Sequence, residues 1–207
     1  MHQEILDTNR LAALPAIAQS GQGFYLAGGT ALALQLGHRD SIDFDFFRAE
    51  SFAPEELFQH VSSSCVQYEV SKLQEETDTL TVLLDGEIQL SFFSYPYPVL
   101  QPPTVWQDLA IASVVDIAAM KLSAITSRAT FKDYVDLCLI LKTHSLSELL
   151  AACKEKFPNL NQTLVLKSLV YFADMTDEPV LFMPGHEMSM EAVKTFLEQT
   201  VRDFNHS

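Results

Sequence analysis

Asp43 and Asp45 stand two residues apart in the stretch Ser41-Ile42-Asp43-Phe44-Asp45-Phe46-Phe47. The alternation reads as a strand over 41–47, with Phe44 and Phe46 on one face and Asp43, Asp45 and Phe47 on the other. Two carboxylates held side by side repel each other, and one takes up a proton unless a cation lies between them. Oxygen-only donors suit a hard divalent ion, Mg²⁺ or Mn²⁺, which completes its shell with water and substrate phosphate. A second feature lies just upstream. Gly28-Gly29-Thr30 sits where an apolar strand, 24–28, turns into a short apolar helix, 30–36. Glycines let the backbone approach a ligand closely, and N–H groups at a helix start attract phosphate. Thr30 adds a hydroxyl and suits the N-cap. One short helix separates the glycine turn from the aspartates, so a phosphate cradle and a metal clamp can face each other, the layout for nucleotidyl transfer. Two acids on a solvated strand edge are the plain alternative. That alternative explains the aspartates but not the glycine turn before them.

Other elements must position these groups. The periodicity predicts an amphipathic helix over 8–20 and a second helix from Pro54 to about Ser62, with Glu55 and Glu56 in its first turn, where the helix dipole favours acids. Strands are expected at 66–74, 79–85 and 87–94, the last two joined by an Asp-Gly turn, Asp85-Gly86. A proline-rich stretch, Ser94 to Pro103, closes this β-rich half. Beyond it the period becomes helical, near 113–128, 131–143, 146–157, 161–173 and 189–204. The expectation is an α/β core over 1–105 and a helical lobe over 106–207 completing the cleft.

Composition narrows the functions. The 207 residues, 48% hydrophobic, can bury a sizeable core, and the formal net charge is −14. Such acidity argues against broad nonspecific binding to DNA or anionic membrane. The cations are uneven, with only Arg10, Arg39, Arg48 and Lys72 before residue 105. Three cysteines without CxxC spacing read as reduced, buried thiols. The six histidines show no spacing for zinc. No apolar run approaches a membrane span and no signal peptide is visible, so the reading is a cytoplasmic protein with no membrane partner.

These motifs resemble the polymerase-β-like nucleotidyltransferase superfamily, whose signature is a Gly-Gly or Gly-Ser followed by an Asp-x-Asp. More narrowly, Gly28 to Phe47, Ser91 to Leu100 and Lys121 to Leu137 together resemble the AbiEii/AbiGii toxin family of nucleotidyltransferases, found in phage-defence and type IV toxin–antitoxin systems. The resemblance implies an α+β fold: a mixed sheet with flanking helices, followed by a C-terminal helical lobe. It implies a nucleoside triphosphate substrate held by the backbone of Gly28, Gly29 and Thr30, and metal at Asp43 and Asp45. It also implies a phosphate-contacting lysine at Lys121 and a C-terminal acid at Asp133 or Asp136, between which the sequence does not choose. The acceptor would be an RNA end, tRNA among them, or a protein side chain, and a cognate antitoxin encoded nearby would silence the enzyme.

Arg128 lies seven residues, two turns, after Lys121 and is a nucleotide-binding candidate. The alternative for Arg128 and Lys132 is a solvated helix face with an (i, i+4) partner such as Asp136. Arg39 either meets a phosphate or offsets Asp40. One departure from the superfamily pattern matters. A third carboxylate is expected on a neighbouring strand, and in Glu87-Ile88-Gln89-Leu90-Ser91 that position holds Ser91. Glu87 shares the face but lies about 13 Å away along the strand. Base function would then fall to Asp133 or Asp136. Two readings stay open: an Mg²⁺-dependent nucleotidyltransferase toxin, or a catalytically weak or inactive relative that binds nucleotide or a partner protein.

Overall fold

The computed structural model describes residues 1–176 and 178–206. The chain forms two units, one of residues 1–98 and 102–113, the other of residues 99–101 and 114–206.

The first unit begins with α1 (Thr8–Ser20), capped by Asp7, whose side chain accepts the Arg10 N–H at 2.8 Å. Then come β1 (Tyr25–Ala27), α2 (Gly28–Leu36), β2 (Phe44–Arg48), α3 (Pro54–Ser64), β3 (Val70–Glu76), β4 (Thr79–Leu84), β5 (Ile88–Ser94), β6 (Thr104–Trp106) and β7 (Leu109–Ile111). The seven strands form one mixed sheet in the order β3-β4-β5-β2-β1-β7-β6. The β2–β5 and β1–β7 pairs are parallel and the remaining pairs antiparallel. Two strands escape the sequence reading, which places nothing at 104–111. Their turn uses Gln107 and Asp108 at positive φ, 51° and 62°, without a glycine to announce it.

Alternation gives the sheet two unlike faces. Phe44, Phe46, Leu90, Phe92, Leu80 and Val82 are fully buried or nearly so and make the core. Phe46 and Phe92 stack at 5.1 Å, and Gly21 at the end of α1 lies against the Phe46 ring. Residues α3 Leu57 and Val61 are buried as this helix packs on β3 and β4. The opposite face carries Asp45, Ser91 and Thr81, then Tyr25, Phe47 and Phe93 one row further along.

The second unit contains α4 (Val114–Ala124), α5 (Phe131–Ile140), α6 (Leu146–Lys156), α7 (Gln162–Leu169) and α8 (Met190–His206). Ala118 and Ala119 let α4 and α6 approach closely, close enough for the Cys153 thiol to lie 3.9 Å from the Ala119 carbonyl. Lys156 and Asp116, 0% and 1% exposed, form an ion pair at 3.0 Å. The Asp116 carboxylate also accepts the backbone N–H groups of Leu100 and Gln101 at 2.9 and 3.1 Å, which fixes that short segment to the helices. Cys65, Cys138 and Cys153 are buried free thiols. Burial pushes Cys138 up to about 12 and Cys153 up to about 11, so neither is a thiolate at neutral pH. Among the described residues no helix is long and apolar enough to cross a membrane.

Candidate functional site

The sheet register brings the glycine turn onto one of the two aspartates. In the antiparallel β1–β2 pair, Ala27 lies opposite Asp45. The next residue, Gly28, turns into α2 with φ of 70°, a backbone region that L side chains avoid. A Cβ there would stand 2.5 Å from Asp45 Oδ2. Glycine is therefore required twice at this position, for the turn and for the carboxylate lying against it. Gly29 is confined too, because a Cβ would meet Arg39 Nη2 at 2.6 Å and Ser41 Oγ at 2.9 Å.

Thr30 does a different job from the one its type suggests. The helix begins at Gly28 with Ala27 as its cap, so Thr30 lies inside the first turn. It is 1% exposed and its hydroxyl donates to the backbone carbonyl of Asp43. The strand starts later than the alternation suggests, at Phe44, and leaves Asp43 just outside it. Asp43 is exposed, and among the described residues its carboxylate has no hydrogen-bond partner. Asp45 is half-buried.

Two arginines support this corner. Arg39, 4% exposed, donates from Nη1 to the Asp40 carbonyl at 2.9 Å, with its other terminal nitrogen beside Gly29. Arg10, also 4% exposed, reaches from α1. Its guanidinium holds the Asp7 carboxylate at 3.1 Å, both oxygens of Asp40 at 2.9 and 3.3 Å, and the Ser41 carbonyl. Burial works against the Arg10 charge, but Asp40 and Asp7 outweigh it and raise its pKa. Nothing local in the sequence marks this role, since the Arg10–Asp40 contact spans thirty residues.

Ser91 stands beside Asp45 in the parallel β2–β5 register, with Thr81 next to it on β4. It is 3% exposed, and its oxygen lies 3.4 Å from Thr81 Oγ1 and 3.2 Å from Gln89 Nε2. The row next to Asp45 is thus one of hydroxyls. Glu87 is outside β5 and accepts from Asn9 Nδ2 at 3.2 Å. Among the described residues no group of three or more His, Cys, Asp or Glu is placed to hold a metal. Two carboxylates and neutral oxygens fit a hard divalent ion, Mg²⁺ or Mn²⁺, that brings water and phosphate oxygens with it. They do not fit a resident zinc centre.

The second unit gathers the remaining candidates. Lys121, 6% exposed, bonds Asp133 at 2.9 Å and Asp136 at 2.6 Å. The two acids between which the sequence did not choose therefore share one lysine, three residues apart on a single face of α5. Thr130 donates to the other Asp133 oxygen at 2.8 Å, and Arg128 approaches it at 3.5 Å. Burial alone would raise the Asp133 pKa, but Lys121, Arg128 and Thr130 together hold it below the ordinary value. Its carboxylate is ionised at neutral pH and correspondingly a weak base. The Arg128 side chain is 68% exposed, and Lys132 is paired with Glu178 at 3.1 Å.

Comparison with known proteins gives the family and the fold. Residues 11–204 match the family model described as nucleotidyl transferase AbiEii toxin, type IV toxin–antitoxin system. A protein of uncharacterised function from Aquifex aeolicus (strain VF5) is 41% identical over 188 residues, 87% of each chain. Among solved structures, the nucleotidyltransferase toxin MenT4 of Mycobacterium tuberculosis is similar with a TM-score of 0.59 and 15% identity, over all of this chain and 88% of that one. A protein of H. pylori described as a candidate nucleotidyltransferase gives 0.58 and 17%, over 99% and 93%. At such identities the structural likeness speaks for the fold.

Proposed function

Because the chain belongs to the AbiEii family of nucleotidyltransferase toxins, we propose that it moves a nucleoside monophosphate from a nucleoside triphosphate to an acceptor hydroxyl, with Mg²⁺ or Mn²⁺ held at Asp43 and Asp45. The observation that carries this reading is the contact of Gly28 with Asp45 Oδ2, which sets a carboxylate against the start of α2. Backbone N–H groups of Gly28, Gly29 and Thr30 there hold triphosphate oxygens. The Arg39 guanidinium beside Gly29 adds fixed positive charge to the same corner. A divalent ion at the two aspartates supplies charge neutralisation at the transferred phosphoryl group.

The acceptor in this reading is an RNA end, tRNA included, or a protein hydroxyl, in the cytoplasm, with an antitoxin as the controlling partner. The net charge of −14 restricts RNA contact to local cations. Near α4 and α5, Arg128 and Lys142 are exposed, whereas Lys121 is held by Asp133 and Asp136, and Lys132 by Glu178. The test is transfer of label from α-³²P nucleoside triphosphates to RNA and protein. Label should be incorporated by the wild type and absent from the Asp43→Ala/Asp45→Ala double variant. Equal labelling by both would remove the two-aspartate mechanism.

Ser91 favours a second reading, a protein that binds nucleotide with weak or no turnover. The row beside Asp45 holds hydroxyls where a base would stand. Calorimetric binding of triphosphate with no labelling of any acceptor supports it. Substituting Ser91→Asp separates the two: a gain in labelling means the site is otherwise assembled and lacks only the acid.

A further inference from the structure

We infer that Arg10 is a positioning residue that sets the metal affinity of Asp43 through the Asp40–Ser41 connection, an inference that rests on the metal reading of Asp43 and Asp45. Asp43 has an unusual combination of a held backbone and an open side chain. Thr30 grips its carbonyl from α2. Two residues upstream, Arg10 grips the Ser41 carbonyl from α1. The same guanidinium takes both oxygens of Asp40. The carboxylate of Asp40, three residues from Asp43, is thereby committed to Arg10 and does not compete for a cation at the mouth of β2. Arg10 is suited to this because its planar fork spans two carboxylates and a carbonyl at once, a geometry that lysine lacks. Burial at 4% exposure makes the link stiff.

Groups that orient a metal ligand from behind typically change affinity by about 10–100-fold when removed. The experiment is titration of the full chain with Mn²⁺, following unbound ion by electron paramagnetic resonance, for wild type, Arg10→Lys, Asp40→Asn and Asp43→Asn. We expect Arg10→Lys and Asp40→Asn each to weaken Mn²⁺ binding by about tenfold or more. The double variant should be no worse than the weaker single, since both break one clamp. Turnover at saturating metal should return to within about twofold of wild type, a rescue that general destabilisation does not produce. Wild-type Mn²⁺ affinity in Arg10→Lys and Asp40→Asn, with affinity lost in Asp43→Asn, overturns the inference alone. Unchanged affinity in all three variants overturns the metal reading beneath it. Should Arg10→Lys fail to fold, Asp40→Asn at the less buried end of the clamp decides between these outcomes.

Discussion

Two pairs of aspartates divide the chemistry of this chain. Asp43 and Asp45 are two residues apart at the start of a strand, and Asp133 and Asp136 are three apart on a helix. The second spacing puts both carboxylates on one side of α5, whereas Asp43 lies just outside β2, which starts at Phe44. The second pair closes on Lys121, with Asp136 fully buried, and is neutralised within its own unit. The first pair has an exposed member, Asp43, whose carboxylate has no hydrogen-bond partner among the described residues. Buried ion pairs hold a fold in one arrangement, whereas an exposed carboxylate on an anchored backbone stays accessible to solvent. The same residue type thus meets different surroundings in the two units: Asp136 is fully buried against Lys121, and Asp43 is exposed.

Exchanging the two roles in experiment gives the largest effects. Asp45→Ala is expected to lower nucleotidyl transfer by about 10³-fold or more, comparable with losing a group that stabilises transition-state charge. Urea unfolding of the same variant separates a loss of transfer from a loss of fold. A fall in stability with transfer intact would place this pair with the structural acids. Lys121→Met is expected to do the reverse and destabilise by about 3–5 kcal/mol, because it leaves two buried carboxylates without their cation. Urea unfolding measures this directly. A stable Lys121→Met protein with only its nucleotide affinity reduced would move Lys121 into the binding machinery.

A smaller effect is expected at the turn. Gly28→Ala meets a left-handed backbone, costing about 1–2 kcal/mol, and its new methyl displaces Asp45 Oδ2. Transfer should therefore fall further than stability alone explains. Transfer that falls only in proportion to the folded fraction would mean that the Asp45 position is not critical.

How much of this the sequence could tell depends on the range of each interaction. Short-period signals carried α1 over 8–20 and the Asp85-Gly86 hairpin, because helix periodicity and turn chemistry are local, whereas the place of Ser91 next to Asp45 came from the family resemblance. The polymerase-β-like fold followed from the glycine turn and the Asp-x-Asp together, and the chain's mixed sheet agrees. What escaped has no local signature. The Gln107–Asp108 turn reaches positive φ without glycine, so β6 and β7 were silent. Arg10 and Asp40 are thirty residues apart, and Lys156 and Asp116 forty. A buried cation announces itself only through its partner, and the partner is chosen by the fold. Thr30 illustrates a local rule overridden in the same way. Its type suits a cap, but the helix starts two residues earlier, so its hydroxyl turns to the Asp43 carbonyl.

Acid titration probes the comparison most gently. Lys121, Arg128 and Thr130 overcome the effect of burial and hold Asp133 below its ordinary pKa of 3.8. A carboxylate depressed in the folded state contributes stability that is fully present above the unfolded value, and that stability is lost as pH falls through the folded one. The window for this loss therefore lies below about pH 3.8. Above it, Asp133→Asn should unfold at lower urea than the wild type by a constant margin. Below it the margin should shrink, because the wild type then begins to lose what the variant never had. A margin that stays constant down to the acid limit in Asp133→Asn would mean that hydrogen-bond geometry, not charge, is what this acid supplies to α5.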